Sequence, residues 1–258
     1  MIFFMGLVHY KKTSKGDNDM SYEGMTIYFM RHGETYLNRY GRMQGWSNAP
    51  LTDEGKVDVR RSGRGLSDVK FDAVYSSDLH RTIETANIVL SESDHAEDLV
   101  IQTMPEFREV FFGYFEGLGL EEVYEAIKEN EGYDSTLDFF EDMDIPERMA
   151  AFKRNDPYQH AEDFMEFWSR IERGLLKIVN EHKYSGDKVL IVCHGLVIRY
   201  LIQSLVIELQ DADHIMNASI TKVQYKAGQF RIEAYNDTSH FIDLEAHELD
   251  HPTDDFIR

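Results

Sequence analysis

Two short apolar runs in this chain break off at the same dipeptide, and that restricts the possible folds more than any other feature. Residues 25–30 (Met-Thr-Ile-Tyr-Phe-Met) run into Arg31-His32-Gly33, and residues 188–193 (Lys-Val-Leu-Ile-Val-Cys) run into His194-Gly195. Short runs that are apolar on both faces are the profile of strands buried inside a sheet covered on both sides. Residues 71–75 and 99–103 read as further strands. Between them lie helical patterns over 79–90, 161–182 and 196–209, and another opening at Leu51-Thr52-Asp53-Glu54-Gly55. There Thr52 is a natural cap, and the two acids suit the positive helix end. Strands alternating with helices predict an α/β fold, a three-layer α/β/α sandwich with a mostly parallel central sheet. In such sheets ligands collect beyond the carboxyl ends of the strands. Both His-Gly steps lie there, as does Ser76-Ser77-Asp78, which follows residues 71–75.

The rest of the chain has a different texture. Residues 118–165 are rich in acids and aromatics and suggest short helices, so they are expected to form a helical lid inserted into a domain spanning 25–236. Residues 218–225 and 229–235 read as a hairpin turning at Ala227-Gly228. Residues 237–258 form an acidic tail. Residues 1–24 carry a short apolar stretch followed by a polar run and are expected to be a loosely ordered extension ahead of Met25.

The residues at the strand ends carry the chemistry. A neutral imidazole is a nucleophile, and a pKa near 6.5 leaves much of a histidine neutral at pH 7. Guanidinium groups bind phosphate oxygens bidentately, so Arg31 and Arg81 fit an anionic phosphoryl ligand. Arg81 sits at the start of a helix, where a cation opposes the dipole, which hints at a role beyond solvation. The formal net charge of −20 excludes a basic footprint for nucleic acid or anionic membrane. Its repulsion of a phosphate ester is screened beyond about 8 Å at physiological salt, so grouped arginines still dominate locally. The single cysteine, Cys193, forbids an internal disulfide and fits a cytoplasmic protein. His240, His247 and His251 lie among acids but in a polar tail, and solvated side chains are expected there rather than a metal site.

Four motifs occur in a fixed order: Arg31-His32-Gly33-Glu34-Thr35 with Asn38; Ser76-Ser77-Asp78-Leu79-His80-Arg81; Glu109 ahead of Phe112-Gly113-Tyr114-Phe115-Glu116-Gly117; and Cys193-His194-Gly195. Together they resemble the histidine phosphatase superfamily, also called the phosphoglycerate-mutase-like family, over residues 25 to 236. The resemblance implies that His32 is phosphorylated during turnover. It implies that Arg31, Arg81 and His194 hold the phosphoryl group and that Glu109 protonates the leaving group. Asn38, Gln44, Gly45 and Gly195 would line the substrate pocket, and Glu116 would be structural. Neither a metal nor a cofactor enters such a mechanism. Mutases of the family carry a longer basic segment after the proton donor, whereas residues 113–131 here hold one lysine, Lys128, and no arginine. The expectation is therefore a phosphatase acting on a small phosphorylated substrate. The alternatives are a mutase, or a non-catalytic phospho-ligand-binding module on the same fold. The acidic lid is expected to disfavour multiply charged esters. The oligomeric state is not written in these motifs.

Overall fold

The computed structural model describes residues 23–206 and 214–245. In chain order the elements are β1 (Met25–Arg31), α1 (Tyr36–Arg39), α2 (Asp53–Gly65), β2 (Ala73–Ser76), α3 (His80–Ser91), β3 (Ile101–Thr103), α4 (Leu120–Glu131), α5 (Thr136–Asp142), α6 (Ile145–Asn155), α7 (Phe164–His182), β4 (Lys188–Cys193), α8 (Gly195–Leu205), β5 (Ile220–Lys226) and β6 (Gln229–Asp237).

The strands form one six-stranded sheet in the order β3-β2-β4-β1-β5-β6. The β3-β2, β2-β4 and β4-β1 pairs are parallel, while β5 and β6 are an antiparallel edge. The period-two alternation of a strand divides the core. Ile27, Phe29, Tyr75, Val189 and Ile191 face one apolar cluster, packed with Val123, Phe152, Phe167, Ile171 and Val197 from α4, α6, α7 and α8. Tyr28, Met30, Val74, Leu190 and Val192 face the other, packed with Val59, Ala86 and Val89 from α2 and α3. The two covered faces make the three layers.

Register places the site. Arg31 is opposite Cys193 and Ser76 opposite Val192, so three parallel strands end at one level. The chain runs outward from β1 to β2 and β3 over one face, then returns across the other face to insert β4 beside β1. That reversal makes a crevice beyond the strand ends.

Several boundaries differ from the sequence expectation, each for a local reason. The second strand is Ala73–Ser76 rather than 71–75, because Phe71 leaves the ladder to pack edge-on against Tyr28, with ring centroids 5.3 Å apart. The long helix expected from residue 161 starts at Phe164, where Asp163 and Glu166 form a reciprocal capping box. Helix α8 ends at Leu205, and residues 207–209 of the expected 196–209 lie outside the described residues. The hairpin turns where expected. Ala227 (φ 52°) and Gly228 (φ 82°) are both left-handed, as a two-residue hairpin turn of right-twisted strands requires.

Residues 118–165 contain α4, α5 and α6. The reading of His240 as a solvated tail residue is overturned. Its ring is hydrogen-bonded to Ser62 Oγ at 2.8 Å, and its carbonyl lies where a side chain at Gly65 would be, so this segment docks on α2. His247, His251 and residues 1–22 lie outside the described residues. No described helix is long and apolar enough to cross a membrane.

Candidate active site

His32 continues β1 by one residue, its N–H bonded to the Cys193 carbonyl at 3.1 Å. The ring is buried, and Nδ1 lies 2.8 Å from the Gly33 carbonyl. A carbonyl only accepts, so Nδ1 carries the proton and Nε2 keeps its lone pair. Arg81 Nε donates to that Nε2 at 3.2 Å. Burial, then the charges of Arg81 and Arg31, hold the His32 pKa well below the usual histidine value. The imidazole is therefore neutral at pH 7, with its free nitrogen directed at a cation.

Arg81 lies in the first turn of α3 with no exposed surface. Its Nη2 donates to the Gly45 carbonyl at 2.7 Å and to His194 Nδ1 at 3.0 Å, and its Nη1 to the Ser47 carbonyl at 2.9 Å. Burial lowers its pKa to about 10, against the opposing charges of Glu109 and Glu116, so it stays charged. His194 caps α8, its ring centroid 5.2 Å from that of His32. Since Nδ1 accepts from Arg81, Nε2 carries the proton and gives it to Ser77 Oγ at 2.8 Å. Ser77 Oγ bonds Thr82 Oγ1 at 2.8 Å, and Thr82 reaches the Leu79 carbonyl at 2.8 Å. This chain of hydroxyls fixes the His194 tautomer. Burial first, then Arg81 and His32, also hold His194 neutral.

Arg31 is anchored through Nη1 to the Ile215 carbonyl and to His214 Nε2 at 3.0 Å. Its Nε is buried with no hydrogen-bond partner among the described residues, leaving a donor for an incoming anion. Burial lowers its pKa to about 10 as well. Glu109 is buried, with one carboxylate oxygen accepting from Val110 N–H at 2.9 Å and the other from Leu196 N–H at 3.1 Å. Burial raises its pKa above the usual carboxylate value, while these N–H groups, Arg81 and Arg31 oppose the shift.

The remaining expected residues divide. Gly45 gives its carbonyl to Arg81, and a Cβ there would lie 2.2 Å from Glu116 Oε1, so only glycine fits. Gln44 bonds Thr35 through Oε1 at 2.6 Å, and its buried Nε2 has no partner among the described residues. Gly195 begins α8 with its backbone close to Arg31 Nε. Asn38 is occupied as a capping partner, its Oδ1 accepting from Thr35 N–H at 3.3 Å. Gly33 is required by packing. A Cβ there would lie 2.6 Å from Val59 Cγ2, so the glycine admits α2. Glu116 accepts from Gly45, Trp46, Ser47 and Phe112 N–H groups and is a brace for that loop.

Other groups at the site were not foreseen: His214 beside Arg31, Asn217 donating to the His32 carbonyl at 2.8 Å, and Trp46 and Arg170 donating to the Glu109 carbonyl. Only tertiary contact marks them. A cavity shares the Val110 and Leu196 wall of Glu109 and is lined by Phe112, Tyr124, Arg148, Phe152 and Tyr200. Its cation, Arg148, comes from α6, inside the segment 118–165 whose sequence reads as rich in acids.

Two neutral histidines and two buried guanidinium groups meet at the carboxyl ends of the parallel strands of an α/β sandwich, an arrangement chemically suited to an anion. The chain belongs to the histidine phosphatase superfamily (branch 1), whose sequence model matches residues 27–238. It is 29% identical over 217 residues to the uncharacterized phosphatase PhoE of Bacillus subtilis (strain 168), covering 83% of this chain and 95% of that protein. It is also 29% identical to a metal-independent phosphoserine phosphatase of Arabidopsis thaliana, covering 83% of this chain and 82% of that protein. Its fold matches the crystal structure of a phosphoglycerate mutase from Bacillus anthracis str. Sterne with a TM-score of 0.79, at 34% identity, covering 86% of this chain and 97% of that one.

Proposed function

We propose that the chain is a phosphatase that hydrolyses small phosphomonoesters through a phosphohistidine on His32. The observation that carries this reading is the His32 Nε2 lone pair, fixed by the Nδ1–H bond to Gly33 and facing the Arg81 guanidinium. In the first step Nε2 attacks phosphorus and the ester P–O bond breaks. Arg31 and Arg81 neutralise the equatorial oxygens, with Arg81 exchanging its histidine contacts for phosphate oxygens. Glu109, whose pKa burial raises, gives its proton to the departing alkoxide. The phosphoimidazole retains its Nδ1 proton, and the Gly33 carbonyl stabilises the positive charge the ring acquires. In the second step the Glu109 carboxylate takes a proton from water as its oxygen attacks phosphorus. The P–N bond breaks and phosphate leaves. No metal or cofactor enters either step.

Residues 118–165 act in this reading as a lid over a catalytic domain spanning 25–236, with the leaving group in the aromatic cavity beside Glu109. Water is favoured over a second substrate hydroxyl as acceptor because Lys128, the sole basic residue of 113–131, is bonded to Glu125 at 2.6 Å. The single buried cysteine suits action in the cytoplasm.

The test compares p-nitrophenyl phosphate hydrolysis with turnover of 3-phosphoglycerate, for the parent and His32→Ala. Hydrolysis should dominate in the parent and be lost in the variant, with an acid-labile, base-stable phosphoryl label on His32. Mutase turnover outpacing hydrolysis, or an active His32→Ala enzyme, would sink the reading.

A further inference from the structure

We propose that Trp46 and the Arg170–Glu162 ion pair are positioning residues, a clamp on the Glu109 backbone that aims its carboxyl group at the leaving oxygen. The proposal rests on the reading of Glu109 as proton donor. Glu109 lies on a segment with almost no regular structure of its own. Apart from the short 3-10 turn Pro105–Phe107, residues 104–112 have no helix or ladder to hold them. A proton donor on such a segment needs another source of rigidity, because misplacement by about 1 Å costs on the order of a hundredfold in rate.

Arg170 supplies it from α7. Its Nη2 donates to the Glu109 carbonyl at 2.8 Å, and its Nη1 to the carbonyls of Glu106 at 2.8 Å and Arg108 at 2.6 Å. The fork is itself held by Glu162, at 2.6 Å from Nε and 2.7 Å from Nη2. Glu162 then grips the other side of the segment, since its carboxylate accepts from Phe111 N–H at 3.2 Å and its own N–H donates to the Phe111 carbonyl at 2.8 Å. Both members of the pair are about nine-tenths buried. A buried ion pair is a poor way to gain stability alone, because desolvation offsets its attraction. This one supplies donors to three carbonyls around the proton donor.

Trp46 completes the clamp, its ring 6.0 Å from the Arg170 guanidinium. Its indole N–H donates to the same Glu109 carbonyl at 2.8 Å. The ring lies 4.9 Å from Phe111 and under the Arg108 guanidinium at 4.7 Å. Its neighbours Gly45 and Ser47 give their carbonyls to Arg81. One three-residue loop thus fixes both the phosphate-binding guanidinium and the proton donor, and so sets the spacing between them.

The experiment measures kcat/KM for p-nitrophenyl phosphate, whose phenolate departs without a proton, and for glycerol phosphate, whose alkoxide requires one. The proteins are the parent, Glu109→Gln, Trp46→Phe, Arg170→Lys and Glu162→Gln. Trp46→Phe keeps an aromatic ring while removing the N–H together with the five-membered ring, and it carries the test if the Arg170 variant fails to fold. Since general acid catalysis contributes about 10²–10⁴-fold, Trp46→Phe and any folded Arg170 variant should lose roughly tenfold more on the alkyl ester than on the aryl ester. Glu109→Gln should show the same selectivity in stronger form. Equal losses on both esters in the clamp variants, with Glu109→Gln still selective, overturn the clamp alone. An unselective Glu109→Gln overturns the clamp together with the proton-donor reading beneath it.

Discussion

Arg81→Lys keeps the charge and removes the geometry, which makes it the sharpest probe of this site. The guanidinium directs four hydrogen bonds from three nitrogens to acceptors on three segments of the chain: the carbonyls of Gly45 and Ser47, and the lone pairs of His32 and His194. An ammonium has three donors on one atom, so at least one of these buried acceptors goes unmet. An unsatisfied buried acceptor costs about 1–3 kcal/mol, and the more strongly hydrated ammonium adds to that. An expected loss of roughly 2–4 kcal/mol corresponds to a melting point lower by about 5–15 °C for a chain of this size. The catalytic loss should be larger in proportion. Losing a fork that stabilises transition-state charge is worth about 10²–10³ in kcat. The assay is kcat/KM with p-nitrophenyl phosphate at a temperature where circular dichroism shows the variant folded. A folded Arg81→Lys enzyme within about threefold of the parent would refute a bidentate role for this side chain.

Two further outcomes concern pH. The first chemical step needs His32 neutral and Glu109 protonated, and burial lowers one pKa and raises the other. Activity on an alkyl ester should fall as pH rises through the raised Glu109 value. The aryl ester should lack that alkaline limb, and identical profiles for the two esters would contradict the assignment. Stability should follow the histidines. The folded pKa values of His32 and His194 lie well below 6.5, so below pH 6.5 the unfolded chain binds protons that the folded one does not. Their contribution is complete above the unfolded value and is lost as pH falls toward the folded values. The slope reaches at most about 2.7 kcal/mol per pH unit for the pair, since each group contributes about 1.36. Glu109 works in the opposite sense between about pH 4.5 and its raised value. Denaturant melts from pH 7 to 5 should therefore show a His194→Gln variant losing less stability on acidification than the parent. An equal loss would count against a buried neutral His194.

How much of this was legible beforehand depends on range. The apolar runs before His32 and His194 announced buried strands, the Thr52 cap announced a helix, and Ala227-Gly228 announced a turn, because each signal is written within a few residues. The Asp163-to-Glu166 capping box was equally local, and the expectation overran it by three residues. His32, Arg31, Arg81, His194 and Glu109 could be singled out because their motifs are contiguous, and packing brings them together. Trp46, Arg170, Glu162, His214 and Asn217 could not, since Arg170 meets Glu109 across 61 positions and Arg31 meets His214 across 183. No propensity or periodicity encodes such a meeting; the crossing of α7 over the sheet does. The sequence by itself determined which side chains end the strands and hence which chemistry is available. The tertiary structure alone decided their protonation and aim, because tautomers, burial and the grip on Glu109 depend on partners that only the folded chain brings within hydrogen-bond distance.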